Sequence, residues 1–272
     1  MTFKIGLITD SFRIPLYDAI EKAASLEVDG VQIYATGKEL STDMSSSEIQ
    51  AIKKHLRDSG LVLSALCGDI GAYDNKEVNV ERVKEAKRIV DLAVQMETSI
   101  ITTHIGVLSS DKQDESYKTI FEACYDIGSY AQKRGAKFAI ETGPESAEIL
   151  REFLDDLDCE GIAVNMDPAN LTMVIGDDAR QATKILAPYI VHTHAKDGIM
   201  LSKYADDPRY SELAKKQKWL ELPLGQGDVE FVSYLKTLKE VGFSGFLTIE
   251  REVGDNPIKD IGLAVDFLRK LI

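Results

Sequence analysis

A single (β/α)₈ barrel is the fold this sequence predicts, on three observations. Short β-rich runs alternate with longer amphipathic stretches eight times, and 272 residues match the roughly 250 such a barrel needs. Polar residues also collect where the runs end, the face at which barrels of this kind build their active sites. A doubly wound open sheet is the alternative, but it would spread those strand ends along a line instead of around one axis.

Strands are expected at 3–9, 30–34, 61–67, 98–104, 136–141, 162–167, 189–194 and 245–250, each short, β-rich and bounded by turn residues. Helical periodicity covers 15–26, 45–59, 78–96, 113–134, 146–157, 178–187, 228–241 and 258–271. The Ser45-Ser46-Ser47-Glu48 run reads as a capping box opening the second helix, and Gly60 and Gly135 close the second and fourth. No Gly/Ser-rich or low-complexity stretch divides the chain, so one domain over 1–272 is expected. From His194 to Glu250 is 56 residues, against 26 to 37 between the preceding strand ends from Tyr34 onward. The stretch 196–228 therefore reads as a long loop inserted over the barrel mouth, carrying Trp219 as a lid, a substrate wall or a subunit contact.

Asp and Glu total 45 against 32 Lys and Arg, for a formal net charge of −13. Phosphate backbones are held by clustered cations, so a nucleic-acid partner is excluded. Cys67, Cys124 and Cys159 lie far apart without a CxxC pair, which points to a reducing compartment. No apolar run reaches the roughly 18–20 residues of a membrane span, and the N-terminus enters a strand at once instead of a signal peptide. A cytoplasmic protein with no membrane partner is the expectation.

His104, Glu141, Asp167, His194 and Glu250 each terminate a strand-like run. Alternation places Ala139 with Glu141, and Phe246 and Thr248 with Glu250, on the inner side, leaving Phe138, Ile140, Leu247 and Ile249 for the outer helices. Asn165 with Asp167, and His192 with His194, follow the same rule. Like charges about 4 Å apart cost about 4 kcal/mol per pair at an effective dielectric near 20, so three converging carboxylates call for a cation. Glu141, Asp167, His194 and Glu250 form an O₃N donor set suited to one divalent ion. Manganese is expected first, with magnesium, cobalt or zinc as alternatives that the donor set does not separate.

The segments FAIETG, NMDPANL, VHTHAKD, PLGQGDVEF and LTIERE, in this order on successive strand ends, resemble the xylose isomerase-like barrel superfamily of sugar isomerases and epimerases, related to endonuclease IV. The likeness runs from the first strand to the last helix. Among its 3-epimerases, the resemblance implies that Glu141, Asp167, His194 and Glu250 bind one metal while Glu141 and Glu250 also move protons. The expected function is a metal-dependent sugar or sugar-phosphate isomerase or epimerase working through an enediolate. Metal-dependent elimination from a keto-sugar derivative, as in a dehydratase or deglycosylase, and a non-catalytic carbohydrate-binding barrel are the alternatives.

Family epimerases place a His three residues after the Asp ligand and an Arg six after the His ligand; here those positions hold Asn170 and Met200, so substrate recognition differs. The substrate-binding set expected is His104, Lys196, Asn170, His192 and Trp219. Lys196 would hold a substrate oxygen or phosphate, with Asp197 as its partner, and Glu252 is a competing partner. His192, one layer deeper, is either a substrate contact or a hydrogen-bonded barrel histidine. Endonuclease IV needs further His ligands for three zinc ions, and this chain has 4 His in all, so nuclease activity is rejected. The partner is a small-molecule carbohydrate, and enzymes of this type are commonly homodimers or homotetramers.

Overall fold

The computed structural model describes residues 2–272. Eight parallel strands close into a barrel: β1 (Lys4–Ile8), β2 (Gly30–Tyr34), β3 (Val62–Cys67), β4 (Ile100–Thr103), β5 (Lys137–Glu141), β6 (Ile162–Met166), β7 (Ile190–Ala195) and β10 (Phe246–Ile249), which returns to β1. Outside them lie α1 (Leu16–Ser25), α2 (Ser46–Asp58), α3 (Lys76–Gln95), α4 (Glu115–Lys133), α5 (Ala147–Leu157), α6 (Ala179–Leu186), α8 (Phe231–Glu240) and α9 (Pro257–Arg269).

Six of these eight helices start where the sequence supplies a side-chain cap. Ser45 and Glu48 form the reciprocal capping box before α2, and Asn75, Asp114, Ser146, Asp178 and Asn256 accept from first-turn N–H groups of their helices. Gly60 (φ +71) and Gly135 (φ +69) take the left-handed step that ends α2 and α4.

The strands alternate as their composition requires. Phe138, Ile140, Leu247 and Ile249 are buried in the apolar layer under the helices. The barrel interior is more polar. Gln32 Nε2 donates to Thr102 Oγ1 (3.0 Å), and Gln32 Oε1 and Thr248 Oγ1 lie 3.0 and 2.9 Å from His192 Nε2. These paired side chains help fix strand register, since slipping one residue would strand them without partners. That register sets Asn165 beside both Glu141 and His192, and Thr248 beside His194.

The stretch 196–228 contains regular structure that the expectation of a loop missed. Here β8 (Asp197–Met200) and β9 (Trp219–Leu222) form an antiparallel ribbon, with a 3₁₀ turn at Leu201–Tyr204 and the one-turn α7 (Ser211–Ala214) between them. The ribbon joins residues far apart in sequence, so no tight-turn signature announces it. A second correction concerns Asp197, expected to pair with Lys196. Its carboxylate instead accepts from the backbone N–H groups of Gly198, Gly225, Gly227 and Val229 at 2.8–3.1 Å. This explains the PLGQGDV segment: a Cβ on Gly227 would fall 2.2 Å from Asp197 Oδ1, so only glycine lets that loop close on the carboxylate.

Candidate active site

Four strand ends meet in one buried cluster. Glu141 is the last residue of β5, Asp167 directly follows β6, His194 is the penultimate residue of β7 and Glu250 directly follows β10. All four are buried, and one donor atom from each lies within 4.8 Å of the others. His194 Nδ1 is 3.4 Å from Glu141 Oε1, 3.2 Å from Glu250 Oε2 and 3.8 Å from Asp167 Oδ2.

The surrounding hydrogen bonds orient these donors. His194 Nε2 lies 3.2 Å from Gln32 Oε1, an acceptor, so in a cation-bound site Nε2 would keep its proton and Nδ1, which faces the carboxylates, would turn a lone pair to the ion. Asp167 Oδ1 caps the following turn by accepting from Ala169 and Asn170 N–H at 2.7 and 3.0 Å, while its buried Oδ2 has no hydrogen-bond partner. An orphaned carboxylate oxygen among two further carboxylates and an imidazole fits a bound divalent cation, because nothing else present satisfies it. Burial pushes the Asp167 carboxyl up. Glu141 and Glu250 are held below the usual range despite burial, Glu141 chiefly by His194 and His104, and Glu250 chiefly by Lys196 and His194. Burial alone would lower His194, but the Glu141 and Glu250 charges hold it well above its ordinary value.

The other expected residues occupy distinct positions. His104 is about half exposed at the mouth, with Nδ1 3.0 Å from Asp69 Oδ2 and Nε2 3.6 Å from Glu141 Oε1; Glu141 chiefly, with Asp69, pushes it up to about 9 against the effect of burial. Asn170 Nδ2 donates to Glu141 Oε1 (3.0 Å) and to the Thr142 carbonyl (3.2 Å), so it positions a proposed ligand. Lys196 is buried between Glu250 Oε2 (3.0 Å) and Glu252, the competing partner named above. His192 sits beneath the cluster, held by Gln32 and Thr248. Trp219, exposed at 43%, lies on β9 at the rim.

Sequence reasoning missed Gln32, Asp69 and Glu145. Gln32 was the detectable one: a polar residue in the middle of the apolar GVQIY strand needs a buried partner. Asp69 stands two residues beyond the end of β3 and meets His104 only through the fold. Glu145, on the loop after β5, is buried with Oε2 unpartnered.

A closed parallel barrel with a buried acidic and imidazole cluster at the C-terminal ends of its strands places that cluster on the face where barrels of this kind build their active sites, and the cluster could hold a metal ion. The chain belongs to the xylose isomerase-like TIM barrel family, whose profile matches residues 20–271. An uncharacterized protein of Methanocaldococcus jannaschii is 23% identical over 93% of this chain and 85% of its own length. An inosose dehydratase of Clostridium perfringens is 25% identical over 51% of this chain, and the match spans 48% of that enzyme, about half its length. A xylose isomerase domain protein from Planctomyces limnophilus superposes with a TM-score of 0.82 at 26% identity, covering 99% of this chain and 96% of that one. A probable 3-DHS dehydratase from Bacillus anthracis (TM-score 0.78, 18% identity, 98% and 99% covered) shares the fold. So does a D-psicose 3-epimerase (TM-score 0.74, 17% identity, 99% of both chains covered). Among the described residues no helix is long and apolar enough to cross a membrane.

Proposed function

We propose that this protein is a divalent-cation-dependent sugar isomerase or epimerase that moves a proton at the carbon beside a carbonyl. The observation that carries the reading is the pair Glu141, ending β5, and Glu250, directly after β10, both close to His194 Nδ1 at 3.4 and 3.2 Å. Two strands, β6 and β7, separate them around the barrel, so their carboxylates reach a ligand at the centre from different sides.

Glu141, Asp167, His194 and Glu250 would hold the cation, manganese first, which supplies Lewis-acid polarisation of adjacent keto-sugar oxygens. One glutamate takes the carbon-bound proton and the other returns it, to the opposite face for epimerisation or to the neighbouring carbon for isomerisation. Lys196 and Asn170 fix the positions of Glu250 and Glu141, respectively. His104, half open to the mouth and anchored by Asp69, contacts a substrate hydroxyl, while His192 supports the floor and Trp219 the rim. The setting we assign is cytoplasmic, and the assembly a homodimer or homotetramer.

The test is carbon-bound hydrogen exchange in D₂O, followed by NMR with a panel of ketoses and aldoses. Glu141→Gln and Glu250→Gln should each cut exchange by about 10²–10⁴-fold, with the fold intact by circular dichroism. Full turnover in both variants refutes the reading. Elimination is the second reading, favoured by Asn170 and Met200 at the two recognition positions and supported by the half-length match to an inosose dehydratase. It is distinguished by release of a leaving group. Sugar binding without exchange or elimination under every divalent ion would instead identify a non-catalytic carbohydrate-binding barrel.

A further inference from the structure

The four cluster residues come from one half of the barrel. β5, β6, β7 and β10 are consecutive around the ring, so a ligand held there turns its remaining surface toward β4, β3, β2 and β1. The groups those strands present at the mouth therefore govern which ligand is accepted.

On β2, Gln32 points inward, donating to Thr102 and lying 3.0 and 3.2 Å from His192 and His194, whereas Ile33 packs outward in the apolar layer. Alternation turns Tyr34, the last residue of β2, inward again and one step nearer the mouth. Its partner in register is Cys67, the last residue of β3, inward by the same rule because Leu66 joins the outer layer. Tyr34 thus stands on the mouth side of the glutamine that meets His194. Burial chiefly, with Cys67, Glu250 and Glu141, pushes its hydroxyl up, so the charges of both glutamates reach the phenol and its proton stays in place.

Other groups on this half are committed or weak. Thr9, directly after β1, gives its hydroxyl to Asp10 Oδ2 (3.1 Å) and the Gln32 carbonyl (3.3 Å). Cys67 is a buried thiol, a poor hydrogen-bonding group. His104, after β4, is anchored by Asp69 and lies beside Glu141. Tyr34 is only partly buried, with the Cys67 thiol as its hydrogen-bonding neighbour, so its O–H is available to a stronger acceptor.

Resting on the proposed function, we propose that Tyr34 is a specificity-determining contact whose O–H donates to a sugar hydroxyl oxygen on the half of the ring that holds no cation ligand. It moves no proton. It selects sugars whose hydroxyl reaches that point, because a site built around a hydrogen bond rejects an analogue that lacks it.

The test uses the full, manganese-loaded chain with D-fructose, D-psicose and D-tagatose as probes. Calorimetry reads binding, and NMR in D₂O reads carbon-bound hydrogen exchange. Tyr34→Phe keeps the ring and removes only the donor. For the ketose that binds most tightly, Kd and KM should rise about three- to tenfold. The exchange kcat should change by less than about twofold, since the contact is equal in ground and transition states. Manganese affinity should be unchanged. Single-position deoxy analogues of that ketose complete the cycle: one of them should bind wild type and Tyr34→Phe equally, while the others keep the full loss. A structural defect would weaken every analogue alike. That uniform loss, an unchanged Kd in the variant, a fall in manganese affinity, or no ketose binding to wild type would each overturn the inference. Wild-type exchange with an unchanged Kd in the variant removes the inference and leaves the proposed function. The expected cycle in binding, without exchange by wild type, does the reverse.

Discussion

Replacing Glu145 with Gln should change how stability depends on pH, by an amount the burial of this side chain sets. Glu145 is only 5% exposed, and its Oε2 has no hydrogen-bond partner. Burial pushes its carboxyl up to about 7 from 4.5, and nearby backbone N–H groups and His104 only partly oppose this. The folded protein therefore keeps the proton over a range in which the unfolded chain has released it. Stability from this group is complete below about 4.5 and is lost as pH rises through about 7. At about 1.4 kcal/mol per pKa unit, the full loss is about 3 kcal/mol, of which about 2–3 kcal/mol falls between pH 5 and pH 8. Urea denaturation of the wild type and Glu145→Gln at both pH values measures it. The Gln variant should gain about 2–3 kcal/mol relative to wild type on going from pH 5 to pH 8. Any packing defect from the amide is the same at both pH values and cancels. An equal wild-type-to-variant difference at pH 5 and pH 8 would show that Glu145 is not held protonated, and the argument from its burial would fail.

Divalent cation at a hundred times its dissociation constant should stabilise the fold by about 2.7 kcal/mol, seen as a rise of several degrees in Tm. Asp167→Asn should abolish that rise, whereas an equal rise in the variant would place the ion elsewhere. Gln32→Leu removes the acceptor for His194 Nε2–H and should weaken cation affinity about 10–100-fold by calorimetry; unchanged affinity would deny Gln32 a part in orienting the ring. Arg251→Met leaves Glu221 and Asp260 without their buried counter-charge and should cost about 3–5 kcal/mol in denaturant unfolding. A loss below about 1 kcal/mol, the range of exposed pairs, would contradict the burial assigned to it.

The barrel was legible because its signals are local. Period-two runs such as FKIGLIT and AKFAIE, capped helices between them and polar residues at strand ends each follow from backbone geometry acting over a few residues. The four residues of the cluster were legible for the same reason: parallel strands closed in a ring bring their ends to one axis. The β8–β9 ribbon was not, because its pairing spans residues 197–222 with no short turn between the partners.

Partner choice was decided by tertiary structure alone. The sequence names Lys196, Asp197 and Glu252 as charged residues near one mouth, but only the fold sends Asp197 to four backbone N–H groups and leaves Glu252 to join Glu250 around Lys196. Likewise the sequence places His194 inward, whereas the acceptor that meets its Nε2 is Gln32, crossing the barrel from β2. Strand direction and alternation are set by neighbours along the chain, and so are written in it. Hydrogen-bond allegiance and charge neutralisation depend on distances of a few ångströms between residues far apart in the chain, 162 positions for Gln32 and His194, and those distances exist only once the cylinder closes.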